Sequence, residues 1–179
     1  MKNAILSRRS IRNYQNKDIT AKNLFLINKY ISDSQNLKGP FGKEITIHLI
    51  KSKDALNGKV GTYGIIKNAP MYLIFLCQNT TEDLVDCGYV GEKLILYLEK
   101  NGISTCWLGG TFDRKNLLPE SDFKDDTFIA AITPIGYKNK KSSMPDKIIR
   151  KIAKSNSRKE FDEFFFQNDF NQPIVSVLY

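Results

Sequence analysis

The stretch that most restricts the fold is Met71-Tyr72-Leu73-Ile74-Phe75-Leu76-Cys77. Seven apolar residues in a row are far too few to cross a bilayer but have the length of a strand buried in a sheet. A helix follows at once. Thr80 is a natural N-cap with Asp83 three residues on, and the helical pattern runs to about Lys100, just before Gly102. Further helices are expected at Lys2–Leu6 and at Ala21–Ser32, where Leu24, Ile27 and Ile31 recur at helical spacing behind a Thr20 N-cap. Strands are expected at Glu44–Ile50, Ser104–Leu108 and Thr127–Ile135, and a last helical region from about Pro145 to Phe166. Leu37–Gly42 reads as a loop, and glycine-rich Gly58–Asn68 as irregular. The class is α+β, with at least four short strands and helices packed on them.

For 179 residues one domain is the default, and such a chain can bury a real core. No run is long enough for a membrane span, and the N-terminus lacks the apolar core of a secretory signal. Cys77, Cys87 and Cys106 are odd in number and lie in or beside apolar segments, so reduced, buried thiols in a cytoplasmic protein are expected. One histidine, His48, and no close cysteine pair speak against a zinc site; His48 alternates away from the apolar face and reads as structural. The net charge of +8 is concentrated at Lys2–Arg12 and Lys138–Lys159. Anionic partners follow from this, but these stretches lack interleaved aromatic platforms and any known nucleic-acid motif, which argues against nucleic acid.

Three segments are candidates for chemistry. The run Ser7-Arg8-Arg9-Ser10-Ile11-Arg12-Asn13-Tyr14 sets three guanidinium groups and hydroxyls at the end of a short helix. Guanidinium forks match phosphate oxygens, and a serine hydroxyl adds a donor. Taken alone, the run reads rather as a solvated basic terminus. In the long helix, Leu84, Cys87 or Gly88, Gly91, Leu94, Ile95 and Leu98 form a stripe whose first half is small. Such a stripe serves either close packing on the sheet or a helix crossing at a dimer interface. Then Cys106-Trp107-Leu108-Gly109-Gly110-Thr111-Phe112 offers backbone N–H groups without side-chain obstruction, with Trp107 as a flat apolar wall.

In order and spacing, the run Ser7–Tyr14, Gly61–Pro70, Gly88–Leu96, Cys106–Phe112 and Ala131–Tyr137 together resemble the nitroreductase family of FMN-dependent oxidoreductases, in the variety first met in thermophilic bacteria. The resemblance implies an α+β sandwich: a central, mostly antiparallel sheet flanked by helices, with a long central helix and two flavins at a homodimer interface. It implies FMN phosphate and ribityl contacts from Arg8, Arg9, Ser10 and Arg12. Trp107, Leu108, Gly109 and Gly110 would run along the flavin ring, with backbone groups near N5. Lys140 and Lys141 are candidates for the late basic residue that reaches the phosphate in many members. NADH or NADPH would be the co-substrate, and a small nitroaromatic, quinone or similar molecule the acceptor. The chemistry would belong to the cofactor, so no side chain is assigned as a catalytic acid or base.

The chain departs from the family at the segment whose asparagine contacts the flavin. Ser32–Gly42 does not match it, and the variant position lies where Phe170–Tyr179 ends, which implies a member shortened at its C-terminus. Asn36 is then a candidate replacement. The same departure raises the rival expectation of a flavin-binding or flavin-free relative without turnover. The whole of 1–179 is expected as one nitroreductase-like domain, with 167–179 as an extension. Its apolar Ile174, Val175, Val177, Leu178 and Tyr179 are expected to pack across the homodimer interface, burying at least Ile174 and Leu178.

Overall fold

The computed structural model describes residues 2–55, 58–115, 117–119, 122–123, 126–140 and 160–174. The chain divides into two compact units, Met1–Ser143 and Met144–Tyr179. Among the described residues the first holds three α-helices, α1 (Lys2–Ser7), α2 (Ala21–Ile31) and α3 (Thr81–Lys100), and four strands, β1 (Thr46–Lys51), β2 (Met71–Gln78), β3 (Ser104–Thr105) and β4 (Thr127–Gly136). The strands form one sheet in the order β1-β2-β4-β3, with every neighbouring pair antiparallel.

The apolar run is β2, and its position in the sheet explains its composition. Met71, Leu73, Phe75 and Cys77 point to a core shared with Ile27 of α2 and with Cys87, Val90, Leu94 and Leu98 of α3. Tyr72, Ile74 and Leu76 point the other way, onto Ile11, Tyr14, Val60, Ile66, Leu108 and Phe112. With both faces covered, a polar residue on either would cost burial free energy, so the alternation of a half-exposed strand is absent. Each fully buried Leu, Ile or Phe contributes about 1.5–3 kcal/mol. The two faces are closed differently: α2 and α3 cover one, and irregular segments with the N-terminal run cover the other.

Helix boundaries follow local chemistry. Thr20 Oγ1 accepts from the Asn23 N–H at 3.3 Å, and Thr80 Oγ1 accepts from the Asp83 N–H at 3.2 Å. α3 ends where Gly102 takes φ +74°, the left-handed value glycine adopts freely. There the Ile103 N–H donates to Leu98 O at 2.9 Å and the Gly102 N–H to Glu99 O at 3.0 Å, a Schellman ending.

Two expectations need correction. The strand Ser104–Leu108 pairs regularly only over Ser104–Thr105, and pairing resumes at Leu108 opposite Ile132. Between them the fully buried Thr133 side chain replaces the ladder: its Oγ1 accepts from the Cys106 N–H at 3.1 Å and donates to Cys106 O at 2.8 Å. The helix expected over Pro145–Phe166 lies mostly outside the described residues. Where it is described, Phe161–Glu163 is a single 3-10 turn closed by the Glu160/Glu163 capping box, with Phe161 stacked on Phe165 at 4.3 Å. In this second unit Phe166 pairs with Pro173, and the Ile174 N–H reaches Phe165 O at 2.8 Å.

Candidate functional site

The arginine run leaves α1 as an extended strap held by backbone hydrogen bonds to three other segments. The Ile11 N–H donates to Thr105 O at 2.9 Å, and Ser10 pairs with Thr105 in parallel. The Lys67 N–H donates to Arg12 O at 2.8 Å, and the Tyr14 N–H returns to Lys67 O at 3.0 Å. The Asn139 N–H donates to Asn13 O at 3.0 Å. Tyr14 locks the end: it is fully buried, and its hydroxyl donates to Pro134 O at 3.1 Å. Gly136 makes room for its ring, since a Cβ there would lie 2.8 Å from Tyr14 Cδ1 and 2.9 Å from Pro70 Cδ. This packing accounts for the alternation along the strap, with Ile11 and Tyr14 inward and Arg8, Arg9, Ser10 and Arg12 half-exposed.

The three arginines do not act alike. Arg9 turns back, its Nη1 donating to Leu6 O and Arg8 O at 2.8 Å each, where a cation at the end of α1 satisfies free carbonyls. Arg8 lies with Nε 3.4 Å from Glu92 Oε1. Ser10 and Arg12 are each engaged within the chain as well.

The second candidate segment is built from side chains that turn inward. Trp107 is not the open wall expected from sequence. Its ring tilts against Phe75 with centroids 5.0 Å apart, and its Cη2 occupies the space of a missing Cβ at Gly91, which would lie 2.3 Å away. Its indole N–H donates to Glu92 Oε2 at 2.8 Å. Gly91 therefore serves close packing within the chain. Gly88 does not: it is exposed, as are Leu84, Val85 and Tyr89, and the buried side of α3 is Asp83, Asp86, Cys87, Val90, Gly91, Leu94, Ile95 and Leu98. Leu108 is buried and paired with Ile132, whereas Gly109 and Gly110 are exposed with open space on their Cβ side. Arg114 fastens the loop, its Nη2 donating to Gly109 O and its Nε to Ile129 O at 3.2 Å, with the guanidinium 4.6 Å from the Phe112 ring centroid.

The fold thus brings the strap and the Trp107–Gly110 segment together through Ser10–Thr105 pairing and through Glu92, which faces Arg8 and Trp107 at once. The Asn139 backbone bond also sets Lys140 beside the strap's end; Lys141 lies outside the described residues. Asn36 is not brought in: its Nδ2 donates to Tyr30 O at 3.2 Å, at the end of α2. Two clefts elsewhere, about 390 Å³ beside Asp18, Lys51 and Met71 and about 490 Å³ beside Lys2, Ser7 and Lys100, include neither residues 8–12 nor 105–110. The three cysteines are buried and none is in a disulfide. Burial pushes the Cys87 thiol up to about 12, so it is protonated at neutral pH and offers no thiolate. His48 is half-buried on β1 with Nδ1 4.0 Å from Asp122. Among the described residues no group of His, Cys, Asp and Glu gathers as for a metal, and no helix is long and apolar enough to cross a membrane.

Glu92, Thr133 and Arg114 carry this geometry and were not singled out from sequence. Only Glu92 left a signal: a half-buried tryptophan needs an acceptor for its N–H, and glutamate stands beside a mid-helix glycine.

The family model described as "Putative TM nitroreductase" matches residues 1–176. No curated protein gives a significant match. Among solved structures, the chain is similar to an oxidoreductase containing FMN at 17% identity, over 96% of this chain and 93% of that one, with a TM-score of 0.71. It is similar to a nitroreductase family protein of Clostridium difficile 630 at 16% identity, over 94% and 98% of the two chains, with a TM-score of 0.64. A nitroreductase with bound FMN from Desulfitobacterium hafniense DCB-2 gives 16% identity, 82% and 94% coverage and a TM-score of 0.61. Identities this low speak for a shared fold alone.

Proposed function

The chain belongs to the TM nitroreductase family, and from that premise we propose that it is an FMN-dependent oxidoreductase. Electrons pass from NADH or NADPH to a small electron-poor acceptor such as a nitroaromatic or a quinone. The observation that carries this reading is the pairing of Ser10 with Thr105. It joins the strap that carries the half-exposed cationic side chains to the strand end that leads on to the exposed, side-chain-free backbone at Gly109–Gly110.

The residues present fit the cofactor's two chemically distinct ends. Arg8 has both Nη groups without a partner among the described residues, and these suit phosphate oxygens. Arg12 on the strap, and Lys140 next to the Asn139 that bonds it, add positive charge. Gly109 and Gly110 leave a flat ring free to approach the backbone, since no Cβ intervenes. Arg9 fits less directly, with one nitrogen already holding the end of α1. FMN, when bound, supplies the electron-transfer chemistry. The chain's own part is to bind the phosphate, orient the ring against residues 107–110 and hold positive charge near it. No side chain here is needed as acid or base.

A homodimer is part of this reading, supported by the exposed Leu84, Val85, Gly88 and Tyr89 on one side of α3. Packing of the C-terminal residues across that interface is part of it too: Ile174 is 40% exposed in the single chain, and Leu178 lies outside the described residues. The whole of 1–179 then works as one nitroreductase-like domain in the cytoplasm. Steady-state turnover of menadione or a nitrofuran by the FMN-loaded protein, with NADH and with NADPH, is the test. Flavin that stays bound while neither nucleotide supports turnover would assign the chain to the non-catalytic relatives instead.

A further inference from the structure

One carboxylate joins the two halves of the candidate site. Glu92 lies on α3, and its two oxygens face different segments: Oε2 accepts from the Trp107 indole N–H at 2.8 Å, and Oε1 lies 3.4 Å from Arg8 Nε. An exposed ion pair by itself contributes little. The Trp107 bond changes the case, because it fixes the carboxylate before Arg8 meets it. Gly91 seats the indole ring and Glu92 accepts its N–H, so two adjacent residues of α3 hold Trp107 from two sides. The free oxygen is thereby aimed at the strap.

We propose that Glu92 is a positioning residue for the cofactor phosphate: its ion pair on the Nε side of Arg8 keeps the guanidinium over the strap and so leaves both Nη groups to act as one fork. This rests on the FMN reading above. Arginine's five donors are rigidly coplanar, so a carboxylate paired on the Nε side restricts where the other two nitrogens can lie. Without it, a long side chain at the end of a six-residue helix samples several rotamers and loses entropy on binding. The carboxylate's negative charge opposes the phosphate, but it is already shared between a guanidinium and an indole N–H.

Glu92→Gln separates these roles. Glutamine still offers a carbonyl oxygen to the indole, but its amide turns N–H donors toward Arg8, whose guanidinium has no acceptor. Binding of FMN and of riboflavin, which lacks the phosphate, should be compared in wild type and variant by equilibrium titration. The expected result is about tenfold weaker FMN binding with riboflavin affinity unchanged, and an unshifted emission maximum from Trp107, the only tryptophan. In a double-mutant cycle, Arg8→Ala should weaken FMN at least tenfold in wild type and less than about threefold in Glu92→Gln. Unchanged or tighter FMN binding in Glu92→Gln would overturn the proposal, as would equal loss of both flavins with shifted emission. A wild type that binds FMN no better than riboflavin fails differently: it removes the phosphate site itself, and Glu92's role with it.

Discussion

The strap 8–14 and the segment 105–113 lie side by side and are held in opposite ways. The strap is fixed mainly by its backbone, through bonds to Thr105, Lys67 and Asn139, with Tyr14 buried at its end and its arginine side chains half-exposed. The neighbouring segment is fixed largely by side chains: Trp107 in the Gly91 seat, Thr133 on Cys106, Arg114 on Gly109. It leaves backbone to face outward at Gly109 and Gly110. A phosphate is recognised by directed charged donors, and a flat ring by an unobstructed surface. The two modes of anchoring suit those two needs, so substitutions in the two segments should fail in different currencies.

The largest effect should come from the side-chain-anchored segment. Trp107→Ala removes the packing against Phe75 and Gly91 and leaves Glu92 without its indole partner. It should lower stability by about 3 kcal/mol in denaturant unfolding, at the low end for a large aromatic because the residue is only half-buried. Arg8→Ala should do the reverse, weakening FMN by about 2 kcal/mol while changing unfolding by less than about 0.5 kcal/mol. A comparable loss of stability would show that the strap, too, depends on its side chains. Thr133→Val removes both bonds to Cys106 inside the sheet and should cost about 1.5 kcal/mol. Smallest is Arg114→Ala, about 1 kcal/mol or less for an exposed residue, with the change seen in hydrogen exchange around Gly109 rather than in global unfolding.

What could be read beforehand was local. The β2 run, the Thr20 and Thr80 caps and the Gly102 ending depend on residues within a few positions of one another, and the structure has each of them. Spacing alone puts Leu84 and Cys87 or Gly88 on one stripe of α3 with Gly91, Leu94, Ile95 and Leu98, for sheet packing or a dimer crossing; Leu84 and Gly88 are exposed, and the buried face is rotated toward Asp83 and Asp86. Asp86 is fully buried because its carboxylate accepts from the Phe41 and Lys43 N–H groups, at 3.0 and 2.8 Å, 45 and 43 residues away. No helical periodicity encodes such a partner. The interruption of the Ser104–Leu108 strand has the same origin, since Thr133 acts on it from β4. Glu92 was invisible for the same reason: its roles exist only once Trp107 and the strap have been folded back onto α3. The arginines and the glycine pair stand out in the sequence because their chemistry is carried by residue type, whereas Arg9's turn onto α1 and Trp107's turn inward depend on the fold.

The most direct test of the central claim is anaerobic absorbance of the protein after incubation with FMN and removal of free flavin. Retained flavin absorbance near the visible flavin bands, bleached on adding NADH or NADPH, is the predicted result. A protein that emerges colourless, having taken up no FMN, would contradict it.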